Sequence, residues 1–329
     1  MIKIRIEDLG RSRVLAYLKK MVQIREFELR VEELFKLGEL PGFVHSCRGQ
    51  EATAVGVCAP LRLSDFVTST HRGHGHSIAK GISLNSIFAE LFGKKTGACK
   101  GKGGSMHVAD FSIGMLGANG IVGGGYGIAT GAGLSIKYQK LDNVVACFFG
   151  DGALNKGTFH ESLNFAGLHK LPVIFVCENN GYAQFTDMHR TTASLDIAGR
   201  AKSYGMFGQT VNGNDLIDVL GVVHDAVSNA RQGAGPTLID MKSYRMSGHY
   251  VGDAENYRSK DEVDAMALSD PIEQFIKLSI ASSILDANIV EKLRKNVKDE
   301  IKNAESFARE SEFPAPSEAL DDIFEDGMA

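Results

Sequence analysis

The stretch from 144 to 182, VVACFFGDGALNKGTFHESLNFAGLHKLPVIFVCENNGY, decides the fold. Its two apolar runs, 144–149 and 172–177, each have the length of a buried strand, and a helical pattern runs between them from Thr158 to His169. Parallel neighbouring strands need a crossover connection, which is usually a helix. We therefore predict an α/β fold in which a parallel sheet lies between two layers of helices.

The same rhythm continues on both sides of this stretch. A strand from Phe207 to Val211, a helix from Asn214 to Arg231 and a strand from Thr237 to Lys242 extend the sheet. Before it come an amphipathic helix, 11–37, and a stretch of short helical patterns and glycine-rich loops, 41–125; one long helix, 288–310, follows acidic turns. We expect an N-terminal helical arm over 1–45, an α/β domain over 46–252 and a C-terminal helical extension over 253–329.

The composition excludes several classes of protein. Among 329 residues, 36 basic and 40 acidic side chains give a net charge of −4, so no basic footprint for nucleic acid or an anionic membrane is expected. The longest apolar runs are far shorter than the ~20 residues of a membrane span, and the N-terminus is not a signal peptide. Five cysteines without a Cys-x-x-Cys pair indicate reduced core residues. We expect a cytoplasmic protein.

Oxygen-bearing side chains follow each strand of the central unit. Asp151 comes directly after the first strand, and Asn180 follows the second. The carboxyl ends of parallel strands meet at the edge where α/β folds bind ligands. A carboxylate and an amide oxygen suit Mg²⁺ when substrate phosphates complete its shell, and the backbone N–H groups of Gly152 and Ala153 could face those phosphates. Alternatively, Gly-Asp-Gly and Asn-Asn-Gly are two ordinary turns.

Other kinds of site have weaker support. Neither Gly-x-Gly-x-x-Gly nor Gly-x-x-x-x-Gly-Lys-[Ser/Thr] occurs, so both common nucleotide fingerprints are missing. A zinc hydrolase could use His71, His74 and His76, but the sequence has no His-Glu-x-x-His motif. A non-catalytic binding or scaffold role is the other alternative.

Gly150-Asp151-Gly152 followed at this spacing by Asn179-Asn180 is the thiamine-diphosphate motif. Nearly the whole chain resembles the alpha subunits of the thiamine-dependent component of 2-oxo acid and acetoin dehydrogenase complexes. The further motifs that carry the resemblance are Gly42-Phe43-Val44-His45, Gly49-Gln50-Glu51-Ala52, Thr70-His71-Arg72-Gly73-His74-Gly75, Gly101-Lys102-Gly103-Gly104-Ser105-Met106-His107, Ala118-Asn119-Gly120-Ile121-Val122-Gly123 and Tyr244-Arg245 before Gly248-His249. The resemblance implies a thiamine-diphosphate-binding fold.

The resemblance also implies a cofactor site. Mg²⁺ is expected on Asp151, Asn180 and the main-chain oxygen of Tyr182. The diphosphate is expected beside Gly152, Ala153, His249 and the two arginines Arg72 and Arg245, because planar guanidinium groups clamp phosphates well. Each arginine could instead form a surface ion pair. The backbone of Gly120 and Val122 is expected to hold the aminopyrimidine ring.

Three histidines are the expected catalytic residues. His45 and His249 match positions that face the reacting carbon, and His71 stands where pyruvate-type relatives carry tyrosine. A histidine that titrates near neutrality can orient a carbonyl and exchange a proton with a developing alkoxide. The histidines could also be core residues bonded to backbone. His74 matches a position that orders a loop.

The resemblance implies an alpha subunit that cleaves acetoin to acetaldehyde and a hydroxyethyl group on the cofactor, which is oxidised and passed to a lipoyl group. The alternative is a decarboxylating dehydrogenase for pyruvate or branched-chain 2-oxo acids. His71 and Gly248-His249-Tyr250 are more similar to acetoin dehydrogenases. A beta subunit that supplies an activating glutamate, an α₂β₂ assembly and a lipoyl-bearing acyltransferase are the expected partners.

Overall fold

The structure is a computed structural model that describes residues 4–322. Its strands, in chain order, are β1 Phe66–Thr68, β2 Met115–Gly117, β3 Val145–Gly150, β4 Val173–Asn179, β5 Tyr182–Ala183, β6 Thr186–Asp187, β7 Phe207–Asn212 and β8 Thr237–Lys242. Six of them form one sheet in the order β2-β1-β3-β4-β8-β7, and every neighbouring pair in it is parallel. The short strands β5 and β6 form a separate antiparallel hairpin. The predicted parallel sheet is confirmed.

The helices lie on both faces of this sheet. They are α1 Ile6–Lys36, α2 Glu51–Cys58, α3 His74–Lys80, α4 Leu84–Leu91, α5 Gly124–Tyr138, α6 Gly157–Leu168, α7 Leu216–Arg231, α8 Lys260–Ala267, α9 Pro271–Ala281 and α10 Ala287–Glu310. Short 3₁₀ helices cover Phe111–Ile113, Asp151–Asn155, Met188–Arg190, Ala198–Tyr204 and Pro316–Leu320. Within residues 4–322, no helix combines the length and the apolar character that a bilayer span requires.

Side chains that alternate along the central strands build two separate cores. Val145, Cys147 and Phe149 of β3 pack with α5 and α6 on one face. Ala146 and Phe148 point to the other face, where α1, α2, α3, α4, α7, α9 and α10 contribute to the larger core. Successive side chains of a strand point to opposite faces, so a strand that is apolar throughout is covered by helices on both sides. This is the predicted three-layer architecture, and the α/β class is confirmed.

The register of β3 and β4 places the site. Gly150 pairs with Glu178, so Asp151 and Asn180 leave the sheet at the same edge. Strand β1 lies on the other side of β3 from β4, and the chain continues from it directly into Thr70, His71 and Arg72. The carboxyl ends of three adjacent strands therefore deliver the residues of the site.

Several elements differ from the sequence-based expectation. Strands β1 and β2 lie inside the stretch that was expected to hold only loops and short helices, and α8 and α9 lie where acidic turns were expected. The first helix begins at Ile6 rather than Arg11, with a kink at Gly10, whose φ of 70° is not helical. The domain boundaries at 45 and 252 stay predictions.

Candidate active site

A cavity of about 340 Å³ opens at the carboxyl edge of the sheet. All twelve site residues that were predicted from the sequence line it: His45, His71, Arg72, Gly120, Val122, Asp151, Gly152, Ala153, Asn180, Tyr182, Arg245 and His249. They come from the loops after β1, β3, β4 and β8, from the glycine-rich loop before α5 and from the segment before α2. A concave site with a few converging polar groups at this edge is typical of ligand binding.

Asp151 is a buried carboxylate without a partner. It is 2% exposed, and neither of its carboxyl oxygens has a hydrogen bond. Burial raises its pKa to about 6, although the nearby backbone N–H groups of Asp151 and Asn180 act in the opposite direction. An unpaired buried carboxylate is costly, so a cation at this position would relieve the cost.

Asn180 and Tyr182 lie beside Asp151 on the loop after β4. Asn180 Oδ1 accepts a hydrogen bond from the Tyr182 backbone N–H over 3.2 Å, and Asn180 Nδ2 donates to Gln50 Oε1 over 3.3 Å. The loop approaches the end of β3 so closely that a Cβ on Gly152 would lie 2.8 Å from the Cβ of Ala183. A side chain at Gly152 would push the two loops apart. Asp151 and Asn180 therefore offer the hard oxygen ligands that Mg²⁺ prefers.

The two arginines are buried, so the alternative of surface ion pairs is wrong. Arg72 donates to the main-chain oxygens of Ser46 and His249. Arg245 donates to the Gln184 and Ser247 carbonyls, each over 3.2 Å, and to the Tyr257 hydroxyl over 2.7 Å. Burial, followed by the neighbouring charge of Arg245, lowers the pKa of Arg72 to about 10.

Within residues 4–322, neither of these guanidinium groups forms an ion pair with a carboxylate. Two buried positive groups that share one cavity favour an anion between them, and a diphosphate has the charge and the oxygen geometry to match them.

The three predicted catalytic histidines form one cluster. Their ring centres are 4.7 Å apart for His45 and His71, 5.0 Å for His45 and His249, and 5.5 Å for His71 and His249. Burial and then the charge of Arg72 lower the pKa to about 3 for His45, about 2 for His71 and about 4 for His249. Burial beside arginines disfavours the imidazolium form of each ring, and the catalytic roles of the three histidines stay predictions.

One hydrogen bond indicates which nitrogen of His249 carries the proton. Arg245 Nη1 lies 3.4 Å from His249 Nδ1. A guanidinium can only donate, so Nδ1 acts as the acceptor and the proton of the neutral ring is on Nε2. His249 can therefore donate a hydrogen bond from Nε2.

Ring nitrogens of His45, His71 and His249 lie within 4.8 Å of one another, a spacing that would also suit a metal ion. Two observations disfavour that use. Ligation through His249 Nε2 would require the proton to move to Nδ1, where it would face the Arg245 donor. The charges of Arg72 and Arg245 also lower the pKa of His249 and would repel a metal cation in the same way.

His74 and His76 are structural histidines outside the cavity lining. His74 contacts Glu28 through Nδ1 at 3.2 Å and Ser105 through Nε2 at 2.9 Å. His76 contacts Ser69 through Nδ1 at 2.7 Å and Glu178 through Nε2 at 3.2 Å. Both nitrogens of each ring are occupied, which excludes a zinc site on His71, His74 and His76. By joining α1 to the loop that holds Ser105, His74 orders that loop.

The glycine-rich loop before α5 forms one rim of the cavity. Gly120 is half-buried, whereas Ile121 and Val122 are 73% and 45% exposed. Gly123 adopts a φ of 83° where the loop turns into α5, a conformation that favours glycine. The loop thus presents main chain and apolar side chains at the opening.

Some residues that line the cavity were not assigned a role from the sequence. They include Gln50, Ser69, Met106, Phe148, Glu178 and Gln184. Gln50 and Glu178 stand inside the motifs Gly49-Gln50-Glu51 and Glu178-Asn179-Asn180, but both were expected to be only part of a motif. Glu178 is a polar residue at the end of an apolar strand, and this position could have identified it as a site residue.

Known proteins match almost the whole of this chain. The family profile described as "dehydrogenase E1 component" matches residues 19–317. The alpha subunit of acetoin:2,6-dichlorophenolindophenol oxidoreductase from Bacillus subtilis is 50% identical over 318 residues, which cover 96% of this chain and 95% of that protein. The corresponding subunit from Cupriavidus necator is 41% identical over 317 residues, covering 96% and 95%.

The alpha subunit of the pyruvate dehydrogenase E1 component from Zymomonas mobilis is 38% identical over 315 residues, which cover 95% of this chain and 89% of that protein. Both the family match and these relatives span almost the entire chain. This chain therefore belongs to the dehydrogenase E1 component family.

Proposed function

We propose that this chain is the alpha subunit of a thiamine-diphosphate-dependent dehydrogenase that acts on acetoin. The observation that carries the proposal is the cavity in which the orphaned carboxylate of Asp151 lies with Asn180 and two buried arginines. The names of the Bacillus subtilis and Cupriavidus necator relatives support acetoin as the substrate. Thiamine diphosphate and Mg²⁺ are the proposed cofactors.

The chain's own residues have a clear division of roles in this proposal. Asp151, Asn180 and the main-chain oxygen of Tyr182 would hold Mg²⁺. Arg72 and Arg245, with the backbone N–H groups of Gly152 and Ala153, would bind the diphosphate. When bound, the cofactor supplies a carbon nucleophile and accepts the electrons of the bond that breaks beside the substrate's carbonyl.

The histidines act on the substrate. His249 can donate a hydrogen bond from Nε2 to the substrate's oxygen as negative charge develops on it, because its Nδ1 faces Arg245. His45 and His71 stand beside it and can hold a hydroxyl or exchange its proton. The cluster therefore orients a small molecule that carries two adjacent oxygens.

The charge of the cluster supports acetoin over a 2-oxo acid. Burial and the charge of Arg72 lower the pKa of all three imidazoles, which favours rings that offer hydrogen bonds over rings that offer a positive charge to a carboxylate. The arginines, which could bind a carboxylate, are the groups that the diphosphate would occupy. The second candidate is a pyruvate or branched-chain 2-oxo acid dehydrogenase, which the Zymomonas mobilis relative supports.

The proposal includes partners. A beta subunit would supply the glutamate that activates the cofactor, in an α₂β₂ assembly, and a lipoyl-bearing acyltransferase would take up the product. The naming of the relatives as alpha subunits supports the first of these. A cytoplasmic location stays a prediction.

The test is reduction of 2,6-dichlorophenolindophenol by this chain co-purified with its beta subunit, with thiamine diphosphate and Mg²⁺. Acetoin, pyruvate and 3-methyl-2-oxobutanoate are compared at equal concentration. We expect the highest rate with acetoin. A preference for pyruvate or the branched acid would select the second candidate, and no cofactor-dependent reduction with any of the three would refute both.

A further inference from the structure

A buried chain of hydrogen bonds leads from Glu178 through Gln50 to Asn180. The side chain of Gln50 lies beside Glu178, where, with His76 and Thr53, it lowers the pKa of that carboxyl against the effect of burial, and Asn180 Nδ2 donates to Gln50 Oε1 over 3.3 Å. Gln50 is 1% exposed and Glu178 is 4% exposed. Since water has almost no access to these groups, they must satisfy one another.

Glu178 acts as an acceptor on both carboxylate oxygens. Thr53 Oγ1 donates to Oε1 over 2.7 Å, and His76 Nε2 contacts Oε2 at 3.2 Å. The second nitrogen of His76 lies 2.7 Å from Ser69 Oγ, which completes the partners of that ring. A carboxylate surrounded by donors accepts a further hydrogen bond only from the amide NH₂ group of Gln50.

This polarity is passed on to Asn180. Gln50 Oε1 faces Asn180 and can only accept, which leaves the NH₂ group of Gln50 for the side of the Glu178 carboxylate, where only a donor is favourable. Asn180 must then turn its own NH₂ group toward Gln50 and its Oδ1 away from it. On the far side, Oδ1 accepts from the Tyr182 backbone N–H over 3.2 Å. The two orientations of an amide have nearly the same shape, so hydrogen-bond polarity is what selects one.

We propose that Gln50 is a positioning residue that holds the carbonyl oxygen of Asn180 toward the metal site, in a direction set by Glu178. The inference rests on the proposed function, in which Asn180 is a ligand of Mg²⁺. A flipped Asn180 would present an NH₂ group to the cation and would place two donors, that group and the Tyr182 N–H, against each other. The carboxylate of Glu178 thus influences the metal site without touching the ion.

The test compares two substitutions around the same carboxylate. Gln50→Met and Thr53→Val each remove a polar group beside Glu178 and keep the size of the side chain, but only the Gln50 side chain contacts Asn180. Thr53 Oγ1 also lies 2.6 Å from the main-chain oxygen of Gln50, which both variants retain. Mn²⁺ is the probe metal. The sample is the complex of this chain with its beta subunit, saturated with thiamine diphosphate. The dissociation constant of Mn²⁺ is measured from the electron paramagnetic resonance signal of free Mn²⁺. Substitution of a residue that hydrogen-bonds to a metal ligand typically weakens metal binding about 10- to 100-fold. We expect a loss of about tenfold or more for Gln50→Met and less than about threefold for Thr53→Val.

A double-mutant cycle separates orientation from general damage. In Asn180→Asp both oxygens are acceptors, so the orientation of the side chain no longer matters, and adding Gln50→Met should then cost less than about twofold in Mn²⁺ affinity. Should Gln50→Met prevent folding, Glu178→Gln serves instead, because it removes the charge that sets the direction and leaves both amides in place.

An equal loss from Gln50→Met in the two backgrounds, an equal loss from Thr53→Val, or no loss at all would overturn the role of Gln50. Failure of the unaltered complex to bind Mn²⁺ in a cofactor-dependent way is a different result. It would overturn the proposed function, and this inference with it.

Discussion

Two buried aspartates show how the surroundings of a residue reveal its task. Asp151 has no hydrogen bond to either carboxyl oxygen, whereas Asp240 accepts from Asn179 Nδ2 over 2.9 Å and pairs with Lys242 Nζ at 3.0 Å. Both are at most 2% exposed. A carboxylate without partners destabilises the protein until a cation binds it, whereas a partnered one is part of the scaffold.

The two aspartates should therefore respond in opposite ways to loss of charge. In the metal-free protein we expect Asp151→Asn to raise the melting midpoint by about 2 °C and Asp240→Asn to lower it by several degrees, from a change of about 1 kcal/mol or more in the free energy of unfolding. Thermal unfolding with and without Mg²⁺ and thiamine diphosphate measures both, and the ligands should stabilise only the Asp240→Asn variant. Destabilisation of the metal-free protein by both substitutions would contradict a cation site at Asp151.

His249 should affect the reaction rather than the binding of the cofactor. His249→Ala removes the Nε2–H donor but keeps the main-chain oxygen that accepts from Arg72 over 3.0 Å. We expect kcat to fall about 100-fold, as for loss of a positioned proton donor. The dissociation constant of thiamine diphosphate should stay within about threefold of its value in the unaltered protein. Asp151→Ala should instead abolish cofactor binding. Calorimetry and the dye assay on the same preparations measure the two effects, and equal losses of cofactor affinity in both variants would refute this division of roles.

The three imidazoles also predict how stability depends on pH. Their pKa values in the folded protein, about 3 for His45, about 2 for His71 and about 4 for His249, all lie below the ordinary 6.5. The unfolded chain therefore binds more protons between these values and 6.5, so stability is complete above 6.5 and is lost as the pH falls below it. We expect the melting midpoint of the cofactor-free protein to fall between pH 7 and pH 5, and His71→Asn to reduce that fall. The exposed His189→Asn is the control, and an undiminished fall in His71→Asn would show that other groups dominate.

At the scale of elements, one carboxylate organises the loop that follows α4. Glu90 of α4 is 1% exposed and accepts four backbone N–H groups, from Cys99 and Gly101 on one oxygen and from Gly103 and Gly104 on the other. The ordered loop leads to Met106, which lines the cavity. Helix α4 thus shapes the site without reaching it.

Glu90→Gln should loosen this loop, because its NH₂ group would face two N–H donors. Loss of two hydrogen bonds to a charged acceptor predicts a decrease of about 3 kcal/mol in the free energy of unfolding. Urea unfolding measures the decrease, and hydrogen exchange over residues 97–107 should become faster. Glu318→Gln, which removes the surface partner of Lys95 in the same loop, should change stability by less than about 1 kcal/mol. Similar losses in the two variants would contradict the role of Glu90.

The central elements were predictable because their patterns are long and uninterrupted. The unit β3, α6 and β4 lies within two residues of its predicted bounds, because two continuous apolar runs around one helical period leave few alternatives. The strands β1 and β2 have three residues each, which is too short for any periodicity, and their pairing depends on β3. Helices α8 and α9 follow the N-caps Ser259 and Asp270, and the acidic residues around these caps are equally typical of turns.

The site was predictable to a similar degree, for a different reason. The positions of Asp151 and Asn180 could be predicted from the strand ends alone. His45, His71 and His249 come from separate loops, and no local sequence pattern indicates that these loops meet. Only the resemblance predicted that the three histidines lie together. The neutral state of these rings was not predictable, because it depends on burial and on Arg72 across the cavity.

At the scale of the whole molecule, we expect the chain to form only part of an enclosed site. The rim of the cavity carries exposed apolar side chains, with Ile121 73% and Val122 45% exposed, and Phe43, next to Val44 and His45, is 61% exposed. Exposed apolar groups around a binding site are typical of a surface that a second protein covers. Among the described residues that line the cavity the one glutamate is Glu178, and its two carboxylate oxygens already contact Thr53 and His76, so it is not placed to activate the cofactor.

The whole-molecule prediction is therefore that this chain alone is inactive. We expect its rate of acetoin-dependent dye reduction to be at least about 100-fold below that of the complex with its beta subunit, because the activating glutamate and the cover that excludes water are both missing. Titration of the purified chain with beta subunit should restore the rate, and hydrogen exchange over residues 119–123 should slow at the same ratio of subunits. Adding Asp151→Ala chain to the same beta subunit is the control, since it should slow exchange at the rim without restoring turnover. Turnover by highly purified chain alone would refute the shared site, because it would require the activating group to lie within this sequence.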